Sequence, residues 1–233
     1  MGRINFHDEL DTAEGGLLSE GGVVRRQLEL VLRALEGRDT ELAHAVISGD
    51  DRVDDVYIAT ETRIMNLLAL QAPVASDLRL VMAILHSNMH LERIGDLCVN
   101  VAKFVLARHR YPSDSPMLTR LHEMGLRVGE MLDLALSAFA QRSVDFAEQL
   151  PVKDEAIDRL NRGMLDDLRR HYDEDSFDLA SNLILVARYF ERMGDHAVDI
   201  GEQVSYLATG VLREFTDASH PEVEREIRHR GSS

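Results

Sequence analysis

LERIGDLCVN at residues 91–100 returns as FERMGDHAVD at residues 190–199, displaced by 99 positions. Both copies carry Glu-Arg-x-Gly-Asp inside a long apolar-periodic segment. A weaker echo lies upstream of each: GDDRVDD (49–55) answers VKDEAID (152–158), displaced by about 104. Each half thus reads as a long helix, a second opening with Asp-x-x-x-Asp, and a third carrying Glu-Arg-x-Gly-Asp. Self-similarity at half the chain length predicts two tandem three-helix units related by duplication. The unequal offsets place an insertion near Gln71–Ser76 of the first half.

The surrounding sequence supports an all-α fold. VVRRQLELVLRALEG (23–37) puts Val24, Leu28, Val31, Leu32 and Leu35 on one stripe. The segments 76–109, 117–140 and 177–210 repeat that three-or-four spacing, and alternating period-two runs are nearly absent. Six main helices are predicted, over 3–36, 39–71, 74–109, 116–141, 144–173 and 176–209. Turns fall at Gly37-Arg38-Asp39, Ala72-Pro73, Pro112–Pro116, Arg142-Ser143 and Asp173–Ser176. The five prolines, at 73, 112, 116, 151 and 221, lie beside turn-like breaks. Helices of this length joined by short loops should pack as antiparallel bundles. The expected division is a first repeat over 1–110, a second over 111–212, and a charged tail over 213–233. Four glycines in the first helix (Gly15, Gly16, Gly21, Gly22) weaken it by about 1 kcal/mol each relative to alanine.

Composition narrows the function classes. The chain has 233 residues, a net charge of -15 and a single cysteine, Cys98. With no Lys/Arg block, that acidity argues against nucleic acid as the main partner. A lone cysteine forms no internal disulfide, which fits a reducing compartment. The N-terminus lacks the apolar core of a signal peptide, and no uninterrupted apolar run approaches membrane-spanning length. The expected location is the cytoplasm. No Gly-rich phosphate loop, Gly-x-Ser-x-Gly elbow or Cys-x-x-Cys pair is present, so no enzyme active site is expected.

The acidic residues are spaced for another chemistry. Glu92, Asp96 and Asn100 are four apart, so each step drifts only about 40° around the helix and the three form one oxygen-rich stripe. Glu191, Asp195 and Asp199 repeat it. The second helices add Asp50 with Asp54, and Asp154 with Asp158. Like charges at this spacing repel by a few tenths of a kcal/mol, and a cation between them reverses the sign. Pairs converging from two helices would offer four or more oxygens to Fe, Mn, Mg, Ca or Zn. A solvated acidic face is the plain alternative, although four pairs at equivalent places argue against it. Gly95 and Gly194 sit inside the two motifs, where either a neighbouring helix or a metal cluster must approach closely. His86, His90 and His196 point off the stripes and read as packing or surface residues. Cys98 reads as a small buried apolar group.

The segments VISGDDRVDD (46–55), LALQAPVASDLRLVMAI (68–84), LERIGDLCVNVAK (91–103) and YFERMGDHAVDIGEQVSYLATG (189–210) resemble the PhoU family of bacterial phosphate-signalling regulators. The resemblance covers about residues 5 to 210. It implies a three-helix bundle in each half and multinuclear metal clusters, of Fe, Mn, Zn or Mg, on the bundle surfaces. The ligands it implies are Asp50, Asp54, Glu92, Asp96, Asp154, Asp158, Glu191 and Asp195, with Asn100 and Asp199 extending the stripes. It further implies a cytoplasmic negative regulator of the phosphate regulon, often a homodimer. Such a protein is an adaptor between a phosphate-specific ABC transporter ATPase and a two-component sensor histidine kinase, peripheral to the membrane and without catalytic turnover. The four glycines of the first helix, Asn100 opposite Asp199, and the tail depart from the family pattern.

Two other readings compete. One is a di-metal carboxylate enzyme, an oxidase or phosphohydrolase. Its ferritin-like form wants Glu-x-x-His from two core helices, whereas Glu41-x-x-His44 and Glu226-x-x-His229 occupy unrelated contexts. The other is a metal-free helical protein whose acidic stripes hold basic partners.

Overall fold

The computed structural model describes residues 3–107, 115–171 and 177–215. Among them lie eight helices and no strand: α1 (Arg3–Gly37), α2 (Thr40–Ser48), α3 (Asp50–Gln71), α4 (Ala75–Leu106), α5 (Pro116–Gln141), α6 (Val144–Ala147), α7 (Leu150–His171) and α8 (Phe177–Thr209). The all-α expectation holds. The predicted turn at Asp173–Ser176, most of that at Pro112–Pro116, and the tail from 216 onward lie outside the described residues.

Two predicted helices are each divided. The helix expected over 39–71 breaks at Gly49, which closes α2 by donating its N–H to the carbonyls of Ala45 and Val46. Glycine is a poor helix-interior residue, and Asp50 and Asp51 then occupy the first turn of α3, where carboxylates complement the helix dipole. The helix expected over 144–173 is likewise split, into α6 and α7. Pro151 explains the break: without an N–H it is tolerated in the first turn of α7 but not inside a continuous helix. In both halves the break places an Asp-x-x-x-Asp pair in the opening turns of a new helix.

The corners between the first and second helices match in the two halves. Arg38 and Arg142 both adopt left-handed backbone, with φ of 52° and 54°. Asp39 then caps α2 by accepting from the N–H groups of Glu41 and Leu42, and Ser143 caps α6 by accepting from Phe146.

α1, α3 and α4 form one three-helix bundle, with α2 as a short cover, and α5, α7 and α8 form the second, covered by α6. The bundles meet along α4 against α8 and α1 against α5, with α4 and α8 the most extensively packed pair. A continuous core fills both, from Leu28, Ile64, Ile84 and Leu91 to Phe139, Met193 and Phe190. α1 is one unbroken helix despite its glycines. Gly21 faces α5, and a Cβ there would lie 2.3 Å from Leu136 Cδ2. The helix-weakening residue is therefore what lets the two bundles close. Ion pairs pin the same seam: Arg25 Nε lies 3.0 Å from Asp133 Oδ1, and Arg142 Nη2 lies 2.6 Å from Glu14 Oε2.

Candidate metal centre

The opening of α3 packs against the Glu-Arg-x-Gly-Asp turn of α4, which brings the carboxylates of the first half into one neighbourhood, although among the described residues only His90, His196 and Asp199 bring three candidate ligand atoms within 4.8 Å of one another. Asp50, Asp54, Glu92 and Asp96 lie within one another's electrostatic field. Burial raises the affinity of Asp50 and Glu92 for protons, and neighbouring carboxylates raise it further. Gln27 of α1 reaches in and donates from Nε2 to Asp50 Oδ1 at 3.4 Å. Asn100 stands half-buried one turn beyond Asp96.

α7 and α8 build the second cluster in the same way. Asp154 is 6% exposed and Glu191 is 8% exposed, so these carboxylates sit deeper than their counterparts in the first half. Burial, helped by Asp195, Asp158 and Glu191, pushes the Asp154 carboxyl up to about 7. Burial and the neighbouring acids also raise Glu191 and Asp195. Positive charge at the rim partly offsets this: Arg188 donates to Glu191 Oε1, and Arg162 Nη1 lies 3.6 Å from Asp158 Oδ2.

The motif glycines now have a reason. A Cβ at position 194 would lie 2.5 Å from Asp154 Oδ1, and one at position 95 would lie 3.3 Å from Gln27 Oε1. Neighbouring helices approach each backbone: at Gly194 they bring the candidate ligand Asp154, and at Gly95 they bring Gln27 and Val53. Gly194→Ala should therefore rotate the Asp154 carboxylate away at a cost of about 1–3 kcal/mol. Metal uptake by the second cluster should fall at least tenfold while the first is unchanged, as read by calorimetric titration.

Glu20 was missed by sequence reasoning. It is fully buried on α1, and neither carboxylate oxygen has a hydrogen-bond partner. Burial, with the Glu92 charge beside it, pushes its carboxyl up to about 9. A signal was present: Glu20 interrupts the apolar stripe of Leu17, Val24 and Leu28, where a charged residue has no packing role. At the matching register the second half carries Met124, which is also fully buried.

A second grouping is likewise invisible to local spacing. His90 of α4 and His196 of α8 meet at the seam with Nδ1 atoms 3.2 Å apart, and Asp199 Oδ2 lies 3.3 Å from one and 3.4 Å from the other. Both histidines pack, as expected, but they pack against each other and against Asp199 at the end of the α8 stripe, a grouping local spacing does not show because it joins opposite halves. Burial holds His90 down at about 4, against the opposing pull of Asp199, so its imidazole is neutral at physiological pH. Cys98 is buried as expected, and burial keeps its thiol protonated. Glu41 and His44 are exposed on α2, away from both clusters, and Glu226 and His229 lie outside the described residues.

The donor set suits hard or borderline cations. Buried oxygens without hydrogen-bond partners (both of Glu20, Gln27 Oε1, Asp154 Oδ1 and Glu191 Oε2) lie at or beside carboxylates that burial first, and mutual repulsion second, make reluctant to ionise. Unsatisfied buried acceptors are costly, and a multivalent cation is the ligand that would satisfy them. Fold and site together define a duplicated three-helix-bundle protein with a carboxylate-rich centre in each half.

The PhoU domain pattern matches residues 17–105 and again residues 121–204. The chain belongs to the PhoU family. It is 34% identical over 207 residues to the phosphate-specific transport system accessory protein PhoU of Serratia marcescens, covering 88% of this chain and 85% of that protein. The protein of the same name in Escherichia coli K12 is 32% identical, with 88% and 86% covered. The crystal structure of PhoU from Pseudomonas aeruginosa superposes with a TM-score of 0.81 at 32% identity, covering 88% of this chain and all of that one. That of the phosphate transport system regulatory protein PhoU from Streptococcus pneumoniae gives 0.78 at 30% identity, covering 89% of this chain and 99% of that one. These relatives are named as accessory and regulatory proteins of phosphate transport, not as enzymes. Among the described residues no helix is long and apolar enough to cross a membrane.

Proposed function

We propose that this chain is a cytoplasmic negative regulator of the phosphate regulon, a metal-binding adaptor between a phosphate-specific ABC transporter and a two-component sensor kinase. The observation that carries this reading is the match of both halves to a domain whose relatives are named for the phosphate-specific transport system. Bound cations, of Fe, Mn, Zn or Mg, would be held by Asp50, Asp54, Glu92 and Asp96 in the first half and by Asp154, Asp158, Glu191 and Asp195 in the second. Asn100 and Asp199 stand at the far end of each stripe. Metal would supply charge neutralisation and no reaction. The carboxylates do the rest: neutralised, those of α3 and α7 draw against α4 and α8, and each bundle becomes a rigid surface. Homodimerisation and contact with the transporter ATPase and the kinase belong to the same reading.

A strain lacking this chain should express a phosphate-regulon reporter at least tenfold above the parent in phosphate-rich medium. The intact chain should restore repression, and Asp96→Asn with Asp195→Asn should restore it only in part. A reporter that stays repressed in the deletion strain would remove the regulatory role. Full repression by the double variant would leave the regulator and remove metal from its mechanism.

A further inference from the structure

We propose that His90 Nδ1, His196 Nδ1 and Asp199 Oδ2 form a mononuclear metal site of the zinc type at the seam between the two halves, with one position open to solvent, and that Asp199, at the end of the α8 stripe, serves this site and not the carboxylate cluster of Asp154, Asp158, Glu191 and Asp195. The three atoms make a nearly equilateral triangle with edges of 3.2, 3.3 and 3.4 Å. Zinc bonds of about 2.0–2.1 Å in tetrahedral geometry require ligand-to-ligand edges of about 3.3–3.4 Å. Octahedral Mg2+ at the same bond length has edges of about 2.9 Å and takes oxygen ligands, a poorer match to two imidazoles and one carboxylate. Two imidazoles and one carboxylate are also a borderline donor set, which favours zinc over the hard cations that suit the all-oxygen clusters.

Hydrogen bonding alone accounts poorly for this arrangement. A proton on one Nδ1 leaves the other nitrogen's lone pair facing the carboxylate, and protons on both set two N–H groups against each other at 3.2 Å. A cation satisfies all three atoms at once. The helices already present the ligands together: His196 and Asp199 are three apart on one face of α8, and His90 meets them from α4. Asp199 is 39% exposed, against 13% for the His90 side chain and 18% for that of His196, so the fourth position opens on its side.

The site also breaks the internal repeat. With the 99-residue displacement, the counterparts of His90, His196 and Asp199 are Tyr189, Leu97 and Asn100. Packing at this seam therefore does not require imidazoles, and the three ligands occur once per chain. That comparison supplies substitutions the fold already tolerates in its other half: His90→Tyr, His196→Leu and Asp199→Asn.

Cobalt(II) is the probe, because its tetrahedral complexes absorb visible light far more strongly than octahedral ones. Added to the chelator-stripped full chain, it should give one intense tetrahedral centre per chain, which Zn2+ abolishes by displacement. Asp54→Asn with Asp158→Asn, which alters only the carboxylate clusters on α3 and α7, should retain the bands. His90→Tyr and His196→Leu should each weaken cobalt binding at least tenfold, with circular dichroism confirming the helical fold. If either variant loses the fold, Asp199→Asn carries the same test. No tetrahedral bands in the parent would overturn the site and leave a hydrogen-bonded cluster. So would bands untouched in the substituted chains, or bands lost only in the α3 and α7 variant.

Discussion

Saturating the chelator-stripped chain with Mn2+ or Zn2+ should raise its melting temperature by roughly 10 °C. The estimate comes from linkage: a ligand bound only by the folded state adds about 4 kcal/mol at a thousand times its dissociation constant, and a chain of this size gains about 2–4 °C per kcal/mol. The increment should grow from about pH 5.5 to about pH 8. The cation competes with protons for the carboxylates, and Asp154, with its carboxyl near 7, is still largely protonated at the lower pH. Asp96→Asn with Asp195→Asn should abolish most of the gain. In the metal-free state the same variant should be no less stable than the parent, because it removes repelling charge. Differential scanning calorimetry with and without chelator reads both, and identical melting in the two conditions would show that the clusters hold no stabilising metal.

Glu20→Met should stabilise the metal-free chain on the order of 3 kcal/mol at pH 7, and by more as the pH rises toward 9. The Glu20 carboxyl is raised from 4.5 to about 9, so the folded state holds a proton that the unfolded chain releases. Below pH 4.5 this costs nothing. Between 4.5 and 9 stability falls steadily as pH rises, by about 1.4 kcal/mol per pH unit at most. Methionine has no such dependence, and the second half carries a buried Met124 at the corresponding place. Denaturant melts across this pH range should diverge, with the variant nearly flat and the parent declining. Parallel curves would mean that Glu20 is ionised and satisfied in the metal-free protein. Loading with metal should shrink the difference, since a cation near Glu92 also relieves Glu20.

The helical class, the duplication and the eight carboxylates of the four Asp or Glu pairs were legible in the sequence, because each depends on spacing within one helix or on similarity between two stretches of chain. Periodicity is a local property, and Glu92 and Asp96 share a face wherever their helix is placed. The breaks at Gly49 and before Pro151 were marked by residues that helices disfavour, yet their consequence was tertiary: they turn Asp50 and Asp154 toward the adjacent helix. Gly194 shows the same division. Its cost to the helix could be read from the sequence, but only the packed bundle shows that Asp154 fills the space a Cβ would take. The stripe of Leu17, Val24 and Leu28 marks Glu20 as out of place, but its proton affinity, like the meeting of His90 and His196, depends on the fold. Burial gives Glu20 its high proton affinity, and burial belongs to the assembled bundle. His90 and His196 lie 106 residues apart, and no local pattern relates them until α4 and α8 pack. A helix fixes which of its residues share a face; what that face meets is decided when the helices close on one another and exclude water.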